Sequence, residues 1–159
     1  MSADKICDTA TLADRIAALP RPLVFTNGVF DLLHRGHVDC LQRARALGAS
    51  LVVGLNSDLS ARGLGKGAGR PLVPWEDRAA VLAALASVDL VVGFDEPAPL
   101  ALLDRLRPEV YAKGGDYDMA TLAEAARVRG WGASAVALPL LPGRSTSALV
   151  RRIRSLDAG

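Results

Sequence analysis

The chain contains two histidines, and they stand three residues apart, at His34 and His37. They close the stretch Thr26-Asn27-Gly28-Val29-Phe30-Asp31-Leu32-Leu33-His34-Arg35-Gly36-His37, which follows a short apolar run and precedes a helical pattern beginning at Val38. The first turn of such a helix offers unpaired N–H groups and the positive end of a dipole, which is a ready anion site. Two imidazoles at that entrance can donate to phosphate oxygens. Gly28 permits close backbone approach, and Gly36 lets the backbone turn so that both rings face one ligand. As a zinc pair the histidines lack a third, and Cys7 and Cys40 have no metal-type spacing with them. The plainer alternative is a pair of surface histidines without a role.

Lysine is equally scarce. Lys5 belongs to a loose N-terminal region, whereas Lys66 and Lys113 each sit beside glycine, in Gly-Lys-Gly and Lys-Gly-Gly contexts. Rare cations set in glycine-rich loops suit a site that must wrap a phosphate.

These residues need elements to position them. Apolar runs too short for helices recur at 23–26, 51–55, 90–94, 110–112 and 135–138, mostly flanked by Gly, Pro, Asn or Asp, and read as buried strands. Between and after them lie helical patterns at 38–47, 75–86, 99–106, 121–129 and 146–156. Strands without polar alternation, alternating with helices, predict an α/β fold: a Rossmann-like, doubly wound parallel sheet of five strands in a single domain. An N-terminal helix at 11–19, within the leading segment 1–20 and stopped by Pro20 and Pro22, precedes the core at 21–156. In such sheets ligands bind beyond the carboxyl ends of the strands, where strand order reverses. The longest stretch without periodicity, 57–74, carries Gly63, Gly65, Gly67 and Gly69 with Arg62, Lys66 and Arg70, and is the expected lid.

Composition narrows the classes. The 159 residues are 50% hydrophobic and 23% charged, enough apolar material for one core. A formal charge of +2 leaves no broad footprint for nucleic acid. No run of about 18 uninterrupted apolar residues is present, so no membrane partner is expected. Two cysteines make no secreted disulfide framework and the start is not a signal peptide, so the expected address is the cytoplasm.

The stretch Asn27 to His37 resembles the signature of the nucleotidyltransferase superfamily that contains the cytidylyltransferases. The resemblance runs from about residue 23 to 153, through Asn56-Ser57-Asp58, Gly69-Arg70-Pro71, Glu76-Asp77-Arg78, Lys113-Gly114-Gly115-Asp116-Tyr117 and Gly143-Arg144-Ser145-Thr146-Ser147. Within the superfamily it is most similar to the adenylyltransferases of ADP-heptose synthesis. That resemblance implies transfer of AMP from ATP to a heptose 1-phosphate, giving ADP-heptose and pyrophosphate for the lipopolysaccharide inner core. It further implies Mg²⁺ carried by ATP, a homodimer, and a sugar kinase upstream, expected here as a separate protein. The alternatives are a cytidylyltransferase acting on glycerol 3-phosphate or another phosphoalcohol, and a non-catalytic nucleotide sensor. Against the first, the segment before the last helix reads Leu140-Leu141-Pro142-Gly143-Arg144-Ser145-Thr146-Ser147 and not Arg-Thr-Glu-Gly-Ile-Ser-Thr-Thr.

Carried onto this chain, the resemblance makes His34, His37 and Lys66 the catalytic cations and donors. Thr26, Asn27, Gly28 and Phe30 serve the nucleotide, Phe30 through its N–H while its ring packs. Ser145, Thr146 and Ser147, behind Gly143, begin the last helix as a cap and a second anion site, and Arg144 touches phosphate or is solvated. Arg70 folds over the triphosphate with the lid, and Arg78 contacts phosphate or pairs with Glu76 or Asp77. At the sugar end stand Lys113, Gly114, Gly115 and Asp116, with Asp31 either a partner of sugar hydroxyls or an N-terminal helix cap or turn carboxylate. No residues are assigned to a protein-held metal. Arg62 and the arginines from Arg151 to Arg154 read as solvated, and Trp75 and Trp131 as packing.

Overall fold

The computed structural model describes residues 2–65, 67 and 69–156. After a 3-10 turn at Ser2–Lys5, the elements in chain order are β1 (Ile6–Cys7), α1 (Leu12–Ala17), β2 (Leu23–Gly28), α2 (Arg35–Arg45), β3 (Ser50–Asn56) and α3 (Asp58–Gly63). They continue with α4 (Trp75–Ala83), β4 (Leu90–Phe94), α5 (Leu100–Leu106), β5 (Val110–Gly114), α6 (Ala123–Arg129), β6 (Ser134–Leu138) and α7 (Thr146–Leu156).

The sheet is parallel with order β1-β4-β3-β2-β5-β6. Among the described residues it has six strands, not the expected five. The extra strand, β1, is two residues at the edge, pairing Ile6 with Val91 and Cys7 with Val92, too short to leave a periodic signal. Lys5, expected to be loose, is held beside it: its Nζ donates to the carbonyls of Leu85 at 3.2 Å and Val88 at 2.7 Å. The N-terminal helix expected at 11–19 is present as the short α1, and the turn and strand before it were not expected. A second departure is α3, inside the stretch read as a lid, where the Ser57 hydroxyl caps the helix by accepting from the Ser60 N–H.

Because side chains alternate across a strand, the apolar runs feed two cores. Leu23, Phe25, Val52 and Val92 pack on one face with Leu12, Leu103 and Val128, from α1, α5 and α6. Val24, Leu51, Val53 and Val91 pack on the other with Leu41, Ala44 and Leu82, from α2 and α4. No helix among the described residues is long and apolar enough to cross a membrane.

Strand order reverses at β2, whose neighbours are β3 on one side and β5 on the other. Successive connections from β2 run outward in opposite directions, so the helices after these strands diverge and a crevice opens at their carboxyl ends.

Candidate active site

A cleft of about 470 Å³ occupies this switch point, lined by Thr26, Asn27 and Gly28 at the end of β2, His34 just before α2 and His37 in its first turn, Lys113 and Gly114 at the end of β5, and Arg144 and Ser145 before α7. The sequence-predicted turn, the Lys113 segment and the Gly143 segment, far apart in the chain, meet in it.

The turn from β2 to α2 places the histidines through strained backbone. Phe30 and Leu32 both have positive φ, 50° and 45°, a region that costs a non-glycine residue about 1–3 kcal/mol unless its surroundings impose it. The Phe30 ring comes back over Gly28, where a Cβ would stand 3.0 Å from its Cε2, and tilts against His37 with 5.4 Å between ring centroids. His34 is the N-cap of α2: its Nδ1 accepts the Gly36 N–H at 3.0 Å. The His37 Nδ1 in turn accepts the His34 N–H at 3.4 Å. A nitrogen that accepts is unprotonated, so each neutral ring carries its proton on Nε2. The two rings stack with centroids 3.9 Å apart. Burial, aided by the Arg144 guanidinium, pushes the His34 pKa below the ordinary imidazole value, which favours this neutral form.

Gly36 has a different reason from the one expected. It lies within α2, and a Cβ on it would stand 2.9 Å from the His34 Cε1 and 3.1 Å from the Arg144 Cβ. Its bare backbone makes room for the His34 ring over the helix end.

On the other face of the sheet, Phe25 of β2 registers with Tyr111 of β5, so Asn27 and Lys113, two residues further along, share one face. The Lys113 Nζ donates to the Asn27 Oδ1 at 3.2 Å and lies 3.9 Å from the Glu124 Oε1. It also lies 5.4 Å from the centroid of the Tyr117 ring. The Tyr111 hydroxyl is 2.8 Å from the same Asn27 oxygen and 3.4 Å from the Glu124 Oε1. Burial and the Glu124 charge push the Tyr111 pKa far up, keeping it a neutral donor. Neither Tyr111 nor Glu124 is evident as a site residue from sequence. The available signal is that Tyr111 is a polar ring in an apolar strand, two residues before Lys113.

Two glycines after Lys113 also have packing reasons. A Cβ on Gly114 would stand 2.6 Å from the Cys40 Sγ, and Gly115, at φ 131°, would carry one 2.8 Å from the Tyr117 ring. Gly114 lines the cleft and Asp116 is exposed.

Several expected contacts are used otherwise. Of the two readings of Asp31, the structure shows the turn carboxylate: it is 3% exposed, and its oxygens accept from the Arg70 Nε at 2.7 Å and from the N–H groups of Leu72 and Val73 at 3.0 Å. It clasps the end of the glycine-rich loop onto the β2–α2 turn. Arg70 is thereby anchored at Nε, while its side chain lines a small recess with His37 and Phe30. Arg78 neither contacts the cleft nor pairs with Glu76 or Asp77. It is 2% exposed, donates to the carbonyls of Val73, Val29 and Asn56, and pairs with Asp58 at 2.6 Å. A fork of donors buried among carbonyls knits β2, β3 and α4 together.

At α7 the predicted triad divides. Ser145 caps the helix by accepting from the Ala148 N–H at 3.1 Å, and with Arg144 it lines the cleft. The Thr146 hydroxyl donates to the Asp31 carbonyl at 2.6 Å, which ties α7 to the histidine turn. Ser147 faces a separate recess with Arg70, Arg151 and Arg154. Gly143 takes a positive φ of 70° in the turn before them. Lys66 lies outside the described residues. Trp131 packs as expected, its Nε1 donating to the Pro108 carbonyl, and Trp75 packs against the α2 face of the sheet. Among the described residues no group of three or more His, Cys, Asp or Glu converges to hold a metal.

Comparison with known proteins agrees with this arrangement. Residues 25–148 match the family model described as cytidylyltransferase-like. The chain is 57% identical to the D-beta-D-heptose 1-phosphate adenylyltransferase of Bordetella bronchiseptica, covering 94% of each chain. It is 54% identical to the bifunctional protein HldE of Streptomyces coelicolor, where 91% of this chain matches 31% of that longer relative. Among solved structures, the lipopolysaccharide core biosynthesis protein of Thermoplasma volcanium superposes with a TM-score of 0.63 at 27% identity, covering 75% of this chain and 95% of that one. A pantothenate synthetase of Thermus thermophilus shares the fold, with a TM-score of 0.60 at 21% identity over 86% of this chain and 62% of that one. With its switch-point cleft and its paired histidines, the chain belongs to the cytidylyltransferase-like family and, within it, to the D-beta-D-heptose 1-phosphate adenylyltransferases.

Proposed function

We propose that this chain transfers AMP from ATP to D-glycero-β-D-manno-heptose 1-phosphate in the cytoplasm, giving ADP-heptose and pyrophosphate for lipopolysaccharide inner-core synthesis. The observation that carries the reading is the stacked pair His34 and His37, each with Nδ1 turned to backbone, across one cleft from Lys113.

The nucleophile is a phosphate oxygen of the sugar 1-phosphate. The second pKa of a phosphate monoester is about 6, so the oxygen is already ionised at neutral pH and no general base is required. The barrier is repulsion between a polyanionic triphosphate and a dianion, so catalysis consists of in-line positioning and charge neutralisation. His34 and His37 supply Nε2–H donors to the α-phosphate oxygens that gain charge in transfer. The hydroxyl of Thr26 and the backbone of Gly28 and Phe30 flank the same phosphate. Arg144 and Ser145, just before α7 and beside the histidine turn, hold the nucleotide phosphates, and Arg70 of the loop meets the leaving pyrophosphate. Lys113 receives the incoming sugar phosphate. Mg²⁺ carried by ATP, when bound, would supply charge neutralisation at the triphosphate oxygens, with no residue of this chain assigned to hold it.

Pyrophosphate release measured with each nucleoside triphosphate against a panel of sugar 1-phosphates tests this. ATP with the heptose 1-phosphate is expected to be the best pair. A better rate with CTP and glycerol 3-phosphate overturns the assignment while leaving the family intact.

A further inference from the structure

We propose that Glu124 is a positioning residue for sugar-phosphate capture, acting through Lys113 and through the Tyr111-Asn27 pair. This rests on the reading of Lys113 as the cation that meets the incoming phosphate.

Glu124 lies in the first turn of α6 and is 6% exposed. A carboxylate withdrawn from water to that extent needs partners. Its Oε1 has two, the Tyr111 hydroxyl at 3.4 Å and the Lys113 ammonium at 3.9 Å. Both of those groups also reach one atom, the Asn27 Oδ1, at 2.8 and 3.2 Å. The four side chains form a closed ring at the carboxyl ends of β2 and β5.

The ring has a definite polarity. A lysine ammonium only donates, so the oxygen of the Asn27 amide must face it, and the amide nitrogen is left as the donor end of a cleft-lining residue. The Tyr111 hydroxyl has one proton, which it shares between the nearer Asn27 Oδ1 at 2.8 Å and, more weakly, the Glu124 Oε1 at 3.4 Å. The consequence concerns Lys113. A lysine side chain is a point charge on a flexible four-carbon stem and carries about 2 kcal/mol of rotamer entropy. Held from two sides by Asn27 and Glu124, its Nζ is placed before the phosphate arrives, and the ordering cost of binding falls. The nearby carboxylate also keeps the ammonium compensated when the cleft is empty. Glu124 does not itself line the cleft, and reaches it only through Lys113 and Tyr111.

The test is a double-mutant cycle with two readouts. Wild type, Glu124→Gln, Lys113→Ala and the double variant are titrated calorimetrically with inorganic phosphate, the nucleotide site being filled with α,β-methylene ATP. Glu124→Gln is expected to weaken phosphate binding by about 5–10-fold, and the double variant to match Lys113→Ala within about twofold, because the carboxylate has nothing left to position. In steady state, Glu124→Gln raises KM for the heptose 1-phosphate by a similar factor and leaves KM for ATP within about twofold. Tyr111→Phe removes only the bridging hydroxyl and shows a smaller loss, about 3-fold, that also vanishes in the Lys113→Ala background. It decides the matter if Glu124→Gln does not fold. Losses that multiply in the double variants, or tighter phosphate binding in Glu124→Gln, would show that Glu124 is a structural group or a competitor for Lys113, and overturn the proposal. Absence of turnover by the wild type with ATP and heptose 1-phosphate would instead refute the adenylyl-transfer reading, and the phosphate cycle would still decide the role of Glu124.

Discussion

The rings of His34 and His37 lie one on the other, 3.9 Å between centroids, and each Nδ1 accepts a backbone N–H from the first turn of α2 or its cap. Helix capping and catalytic geometry are thus the same set of hydrogen bonds. The donors offered to phosphate are the Nε2–H groups, since each Nδ1 is already turned to backbone.

From this follows the effect of His37→Ala. Its donor acts on charge that develops during transfer, so turnover should fall by about 10²-fold or more while ATP affinity changes by less than about 5-fold. Single-turnover pyrophosphate release beside calorimetric ATP titration separates the two. A loss confined to ATP binding would reduce His37 to a ground-state contact.

Acid should unfasten the same turn. His34 has a folded pKa below its ordinary value of 6.5, chiefly through burial and then through Arg144. The unfolded chain therefore binds the extra proton first, and stability falls as pH drops. The contribution of neutral His34 is complete above 6.5 and is lost as pH falls through the lower folded pKa. Protonation at Nδ1 also removes the acceptor for the Gly36 N–H. Following the His34 ring protons by NMR, Arg144→Ala should move the midpoint up but keep it below 6.5, since burial remains the larger cause.

Gly36→Ala separates site geometry from stability. Alanine is better than glycine inside a helix by about 1 kcal/mol, so the helix itself gains. The new Cβ, however, would stand 2.9 Å from the His34 Cε1, and the ring must move. We expect a melting temperature within a few degrees of wild type, since about 1 kcal/mol shifts Tm by only about that much, with kcat reduced by about 10-fold or more. A fully active variant would mean that the ring position is not critical.

Asp31→Ala distinguishes a clasp from a sugar contact. Removing a carboxylate that accepts from Arg70, Leu72 and Val73 leaves buried donors unpaired and should cost about 2–4 kcal/mol. Thermal unfolding and limited proteolysis after residue 62 should both register it. An unchanged melting temperature with a raised KM for the sugar phosphate would restore the role expected from sequence.

How much of this was readable without coordinates follows from the range of the interactions. The parallel α/β sheet was, because Leu23 to Phe25, Leu51 to Leu55 and Leu90 to Val92 are apolar without alternation and so require cover on both faces. The histidine turn was, because His34, Gly36 and His37 interact within one helical turn. β1 was not, since two residues carry no period and are held by Val91 and Val92, far along the chain. Nor were the buried roles of Asp31 and Arg78. A carboxylate in a turn or a guanidinium at a helix start reads the same whether it meets a ligand or backbone N–H and carbonyl groups 41 or 49 residues away, and only the folded chain brings Leu72 to Asp31 or Val29 to Arg78. The ring around Lys113 is the clearest case. Local sequence marks Lys113 as unusual, but the residues that hold it, Asn27 and Glu124, come from β2 and α6, and it is the pairing of β2 with β5 that decides which face they share.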